Sequence, residues 1–292
     1  MKKIAVTGGK GGTGKSTVAT AIAVELARNY RVLLTDADSD CPNDHLILSV
    51  KRKKDSDVHQ LVPKWDMSKC IKCGKCAAVC KQDSIAFVRG RYPAFVPDTC
   101  TGCGACIVAC PTGAISEGRK KIGTVYTGRN YGVDLVSGEL KIGEMASGEI
   151  VVEVKKRAQA IAEKLKSDFV LTDSAAGIGC PVIASINGSD FVVAVTEPTP
   201  SALHDLKRVL HITDQFTIPK AIVINKSDLN DRFRKKIKAF ARERKIPVIG
   251  EIPYRKSAVE RNVNMMPVNA EEGEMAESIS LITEKLTGLL GL

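Results

Sequence analysis

Between a short apolar run, Lys3 to Val6, and a stretch of helical apolar spacing, Thr17 to Arg28, the chain reads Gly9-Lys10-Gly11-Gly12-Thr13-Gly14-Lys15-Ser16. Strand, glycine loop and helix in that order satisfy G-x-x-x-x-G-K-[ST], in which backbone N–H groups wrap phosphates at a helix N-terminus. Lys15 is then placed to reach the β and γ phosphates, and the Ser16 hydroxyl to ligate Mg²⁺. A merely tight glycine turn is the bland alternative, and the flanking strand and helix argue against it. Further apolar β-like runs at Val32 to Thr35, Phe169 to Thr172, Phe191 to Val195 and Ala221 to Ile224 alternate with helix-length segments such as Ile150 to Lys166. Alternating β and α units imply an α/β fold, with a doubly wound, mainly parallel sheet covered on both faces.

Cysteine is the second constraint. Eight of the ten cysteines fall between positions 70 and 110, and Cys70-x-x-Cys73-x-x-Cys76-x-x-x-Cys80 recurs as Cys100-x-x-Cys103-x-x-Cys106-x-x-x-Cys110. Fixed spacing of this kind argues for metal rather than a disulfide framework. Thiolates are soft ligands that suit iron, and the paired runs resemble the signature of a bacterial two-cluster ferredoxin. In that signature the fourth cysteine of each run serves the other cluster. Cys70, Cys73, Cys76 and Cys110 are therefore expected on one [4Fe–4S] cluster, and Cys100, Cys103, Cys106 and Cys80 on the second. Zinc is the rival metal, since C-x-x-C pairs also build Cys₄ sites. Lys81 stands where the second run has Pro111, a change that touches solvation and no ligand. A small α+β, ferredoxin-like module is expected at residues 64–118, inserted into one α/β domain formed by residues 1–63 and 119–292.

Lys10, directly after the first loop glycine, makes the local sequence KGGTGKST. This resembles the deviant Walker A motif of the MinD/ParA/Mrp ATPases, a family that includes the nitrogenase iron protein. The resemblance implies slow, partner-stimulated ATP hydrolysis in a homodimer, with Lys10 crossing the interface to the other subunit's nucleotide. It also implies that Asp38, in Leu33-Leu34-Thr35-Asp36-Ala37-Asp38, is the catalytic carboxylate and Asp36 a supporting one, so that Lys10, Lys15 and Asp38 form the catalytic set. Phe169 to Asp173 matches a Walker B strand, whose carboxylate holds Mg²⁺ through water. Gly177 matches the switch II glycine, although Ser174-Ala175-Ala176 departs from the usual T/A-P-P. Asn225-Lys226-Ser227-Asp228 fits the N-K-x-D pattern for guanine, but the KGGTGKST loop weighs toward ATP and makes Asn225 a base contact, with Ile252-Pro253 a weaker one. Nucleotide binding is thus expected at Gly9, Gly11, Gly12, Thr13, Gly14, Lys15, Ser16, Thr17, Asp173, Gly177 and Asn225, with Ser16 also on Mg²⁺.

Lysine and arginine number 43 against 33 aspartates and glutamates, a formal net charge of +10. The excess gathers at Lys51 to Lys54, Arg119 to Lys121 and Arg232 to Lys245. Aromatic residues make up 4% and do not interleave these runs, so no nucleic-acid partner is expected. A solvated face is the first reading and docking of an acidic partner the second. No apolar run approaches the roughly 20 residues of a bilayer span, and IAVTGG opens a strand rather than a signal peptide, so a cytoplasmic location is expected. Ser278 to Leu292 is apolar at helical spacing but carries only Lys285 and follows four glutamates. It reads as a core-packing helix, not the basic membrane anchor of MinD proteins. Val50 to Asp57 reads as a charged boundary, and Lys120 to Glu144 as short strands and turns. Cys41 and Cys180 read as buried or partly buried structural thiols, with a third, intersubunit cluster as the alternative. His45, in a P-N-x-H stretch, is a weak metal candidate.

The leading expectation is ATP-gated electron transfer through the clusters toward a redox or metallocluster client. Iron–sulfur or metal-cluster assembly is the second reading, weakened because Cys180 is the only cysteine after the ferredoxin-like module and leaves no C-x-x-C there, and a MinD-like spatial organiser the third.

Overall fold

The computed structural model describes residues 1–144 and 148–292. Strand β1 (Lys2–Thr7) leads through the glycine loop into α1 (Lys15–Leu26), β2 (Val32–Asp36) and the single turn α2 (Asp44–Ile47). β3 (Lys53–Trp65) enters the cysteine segment, which holds α3 (Lys75–Ala78), β4 (Ile85–Ala86), β5 (Ala94–Phe95), a 3₁₀ turn at Pro97–Thr99 and α4 (Ala105–Val108). There follow β6 (Ile115–Asn130), β7 (Val133–Leu140), α5 (Gly148–Leu165), β8 (Phe169–Asp173), α6 (Cys180–Ile186) and β9 (Phe191–Thr196). The chain ends with α7 (Pro200–Gln215), β10 (Lys220–Asn225), α8 (Asp231–Glu243), β11 (Val248–Ile252), α9 (Lys256–Val263) and α10 (Glu274–Leu289).

Nine strands form one sheet in the order β11-β10-β9-β1-β8-β2-β7-β6-β3. Every neighbouring pair from β11 to β7 is parallel, as the α/β expectation required. Lys120 to Glu144 is not a set of short strands: β6 runs to Asn130 and turns into β7 through Tyr131 and Gly132, both at positive φ (49° and 76°). A two-residue connection of that hand joins antiparallel strands. The charged stretch Val50 to Asp57 likewise contains the start of β3, whose lysines and aspartates hid the strand.

Contacts divide the chain into two compact units. The first comprises residues up to Ser56, Thr124–Leu140 and everything from α5 onward; the second comprises Asp57–Gly123 and the short segment that begins at Lys141. In the first unit, alternation along the strands sends Ile4, Val6, Leu34 and Leu171 to one core with α1 and α10. Ala5, Val192 and Ile222 face a second core with α6, α7 and α8. Phe169 and Leu34 are fully buried, each contributing about 1.5–3 kcal/mol relative to exposure. From α10, Met275, Ile279, Ile282 and Leu286 enter the first core. Among the described residues no helix is long and apolar enough to cross a membrane. The second unit packs Cys76, Cys106, Ile85 and Ile115 together, with Trp65 and Phe95 against them.

Candidate nucleotide and metal sites

The parallel strands of the first unit deliver the glycine loop, the end of β2 and the end of β8 to one edge of the sheet. Gly14 sits just before α1 at φ +86°, a conformation glycine adopts without strain. A Cβ there would lie 2.1 Å from the Asn225 amide nitrogen, so the missing side chain also makes room for β10. Asn225 uses the space to donate its amide to the Thr13 carbonyl at 2.9 Å. Its side chain thus fastens the loop at the cleft, where the sequence suggested a base contact. Gly9 is required for a different reason: a Cβ would meet the Asp205 carbonyl of α7 at 2.3 Å.

The loop borders a cleft of about 550 Å³, which Lys15, Ser16, Asp38, Asn225, Pro253 and Tyr254 help to line. That volume is in the range of small-molecule and cofactor sites. Gly11, Gly12, Gly14 and Thr17 line it as well, as does Ala176, which precedes Gly177 (φ +96°). Thr17 accepts a hydrogen bond from Asn262 at 3.2 Å, and the Thr13 hydroxyl donates to the Lys10 carbonyl at 3.3 Å. Lys15 is buried and donates to that same carbonyl at 3.4 Å. The ammonium of Lys10 lies 3.3 Å from Glu197 Oε1, while Lys226 reaches Glu197 Oε2 at 3.0 Å and the Gly12 carbonyl at 2.8 Å. Burial alone would raise the Glu197 pKa, but Lys226 and Lys10 outweigh it and hold the carboxyl below its ordinary range.

Beneath the loop, Asp36, Asp44 and Asp173 bring ligand oxygens within 4.8 Å of one another, and all three are buried. Asp36 accepts from the backbone N–H groups of Asp38 and Asp44, each at 3.2 Å. Both oxygens of Asp44 and Oδ1 of Asp173 are buried without a hydrogen-bond partner. Burial pushes Asp173 up to about 7 against the opposing Ser16 hydrogen bond and the Lys15 charge. Asp36 and Asp44 are raised well above the ordinary range by burial and then by their acidic neighbours. Carboxylates this close in a dry setting do not all ionise unless a cation joins them. The orphaned oxygen of Asp173, whose carboxylate meets the Ser16 hydroxyl, with the Asp36 and Asp44 carboxylates close by, therefore suits Mg²⁺. Asp38 is half-buried at the cleft wall; burial raises its pKa, with Lys15 opposing.

The sequence did not single out Asp44 or Glu197. Asp44 opens a one-turn helix at the unspecified position of the P-N-x-H stretch, and Glu197 follows an apolar strand outside any motif. His45 is outside the aspartate trio; its Nδ1 is buried without a partner, and burial and then Arg52 lower its pKa. Cys41 and Cys180 are exposed, contrary to the expectation of burial: Cys41 lies on the connection after β2, and Cys180 opens α6, whose buried residues are Val182, Ser185 and Ile186.

In the second unit all eight cysteines are free thiols. Cys70, Cys73, Cys76 and Cys110 line one cavity, so the fourth cysteine of the second run faces the first three of the first. The copies repeat one another in electrostatics. Burial raises Cys76 and Cys106, whereas Cys80 and Cys110 stay below the usual thiol range because nearby backbone N–H groups and a Ser84 or Thr112 side chain overcome their burial. Donors aimed at sulfur favour the thiolate that binds metal.

A glycine loop on a parallel sheet, with a buried lysine and carboxylates at two neighbouring strand ends, defines a P-loop nucleotide-binding protein of the α/β class. The chain matches the CobQ/CobB/MinD/ParA nucleotide binding domain over residues 4–268 and belongs to that family. It is 34% identical over 231 residues to the uncharacterized protein MJ0578 of Methanocaldococcus jannaschii, covering 79% of this chain and 80% of that one. The septum site-determining protein MinD of Pyrococcus horikoshii, complexed with Mg-ADP, has a similar fold (TM-score 0.62, 18% identity, 99% and 97% of the two chains). So does a MinC:MinD cell division protein complex of Aquifex aeolicus (TM-score 0.60, 18% identity, 99% and 96%).

Proposed function

We propose that the protein is an ATP-binding and ATP-hydrolysing switch of the MinD/ParA kind that closes into a homodimer around nucleotide to engage a partner protein. We further propose that residues 64–118 form an inserted ferredoxin-like domain whose two [4Fe–4S] clusters make that partner a redox or metallocluster client. The observation that carries the nucleotide reading is the loop-bordered cleft above three buried carboxylates. The Mg-ADP of the Pyrococcus relative and the MinC of the Aquifex complex favour a partner-engaging switch as the general cycle. The iron–sulfur reading rests on the cysteine spacing and on the cavity shared by Cys70, Cys73, Cys76 and Cys110.

In this reading the loop N–H groups and Lys15 hold the phosphates, and Ser16 with Asp173 holds Mg²⁺. Asp38 orients the attacking water, and Gly177 presents its backbone N–H to the γ-phosphate. Lys10 leaves Glu197 to reach the second protomer's nucleotide. Bound clusters supply one-electron chemistry; Cys70, Cys73, Cys76 and Cys110 hold one, and Cys100, Cys103, Cys106 and Cys80 the other.

An anaerobic redox titration followed by EPR tests both halves, performed without nucleotide, with MgADP and with a non-hydrolysable MgATP analogue. Two cluster signals whose potentials move with nucleotide are the expected result. Signals that titrate identically in all three states exclude direct coupling and leave partner engagement as the sole role of ATP. Absence of cluster signals overturns the iron–sulfur reading.

A further inference from the structure

The two cysteine runs keep identical ligand spacing but have diverged in charge. Lys69, Lys72, Lys75 and Lys81 of the first copy stand opposite Thr99, Gly102, Ala105 and Pro111 of the second. Residues 66–91 carry six basic and two acidic side chains, residues 96–121 three and two. Metal ligation does not explain this, since the second copy places its four cysteines without lysines.

The structure gathers the difference at one place. Lys72 and Lys75 line the same cavity as Cys70, Cys73, Cys76 and Cys110, and Lys69, Lys72, Lys75 and Lys81 are all exposed. Lys72 lies 4.5 Å from the centre of the Tyr92 ring, which leaves that ring held in place and 48% exposed. Ile71, between two cysteine ligands, is 63% exposed. An apolar and aromatic centre with a charged rim is the anatomy of a protein interface. Lys69 pairs with Asp66 at 3.2 Å, whereas Lys75 and Lys81 have no ion pair among the described residues. On α8, another of the basic runs, three of the six basic side chains are neutralised in place, Lys235 by Asp231 at 2.7 Å, Lys238 by Glu251 at 2.5 Å and Arg234 by both carboxylates.

The geometry points to the Cys70–Cys76 face, centred on Ile71 and Tyr92 and rimmed by Lys69, Lys72, Lys75 and Lys81, as the docking site for an acidic redox protein. This deepens the iron–sulfur reading and rests on it. The face gives the partner access to one cluster of the two, so exchange with that partner occurs at the cluster of Cys70, Cys73, Cys76 and Cys110. Charges at such a rim act mainly on encounter rate and salt dependence, while Ile71 and Tyr92 supply the desolvated contact.

The test is calorimetric titration of the cluster-loaded protein with an acidic flavodoxin, which carries no iron, at low and high salt. Lys72→Glu/Lys75→Glu/Lys81→Glu is compared with Lys235→Glu/Lys236→Glu/Arg242→Glu on α8. The expected result is salt-sensitive binding that the first variant weakens by about tenfold or more and the second leaves intact. No binding by the unmodified protein, equal binding by the first variant, or loss only with the α8 variant overturns the proposal. Iron and acid-labile sulfide are assayed on every sample. A protein that loads both clusters but does not discriminate fails on docking alone, while one that loads none fails at the iron–sulfur reading.

Discussion

Lys10 and Glu197 form an ion pair of 3.3 Å within one protomer, and it ties the loop lysine to the end of β9. The same carboxylate holds Lys226, so the loop is gripped from two sides when no second subunit is present. Replacing Glu197 by Gln keeps the shape and removes the charge. ATP-dependent dimerisation of Glu197→Gln, followed by analytical ultracentrifugation, is expected to begin at several-fold lower ATP than in the parent. An unchanged threshold would show that the pair restrains nothing.

The two loop lysines separate binding from assembly. Lys15→Ala removes the buried ammonium at the phosphates and is expected to lower turnover about 100-fold or more, with nucleotide affinity falling too. Lys10→Ala is expected to leave ADP affinity unchanged while abolishing the ATP-dependent dimer. ADP titration and sedimentation of both variants check this.

Asp44 contributes a buried carboxylate with neither oxygen hydrogen-bonded. Asp44→Asn is expected to stabilise the nucleotide-free protein at neutral pH by about 1–3 kcal/mol. Because the folded-state pKa of Asp44 is raised, the folded state holds its proton to higher pH than the unfolded chain. Wild-type stability therefore falls as pH rises from the unfolded value of 3.8 toward the folded one. The advantage of Asn should accordingly grow with pH and shrink in acid, and Mg²⁺ with nucleotide should narrow it. Urea denaturation at several pH values provides the measurement.

Lys155 of α5 donates to the carbonyls of Ala184, Ser185 and Asn187 at 2.9, 2.7 and 2.7 Å, closing the C-terminal end of α6. Lys155→Met is expected to cost about 2 kcal/mol near neutrality. Burial lowers this lysine to about 8 against 10.5 unfolded, so the unfolded chain keeps its proton to higher pH. The parent should gain stability relative to the variant as pH rises from 8 toward 10.5. Chemical melts of both proteins across that range decide it.

Cross-ligation between the runs is open to single substitutions. Cys110→Ser and Cys73→Ser are expected to remove the same EPR signal and to halve the iron, while Cys80→Ser and Cys103→Ser remove the other. If Cys110→Ser instead pairs with Cys103→Ser, each run keeps its own cluster.

What could be read in the sequence was local. Gly9 to Ser16 and the cysteine runs announce themselves because their ligands or N–H groups come from one short stretch of backbone. The apolar strand beginning at Phe169 is visible for the same reason. Asp44 could not be read, since its significance comes from β2 and β8 closing on it, and β8 is more than a hundred residues away in the chain. Asn225 was found by pattern, but its role depends on the space that Gly14 leaves. β3 and β6 escaped notice because their charged and glycine positions break the alternation that marks a half-buried strand.

β3 and β6 are also neighbours in the sheet. From the viewpoint of the nucleotide-binding half, everything between them is one outsized hairpin connection. Closure entropy grows only with the logarithm of loop length, so lengthening such a connection costs a sheet little. In closure entropy, the sheet that carries the glycine loop and Lys15 is thus nearly indifferent to the length of residues 66–114.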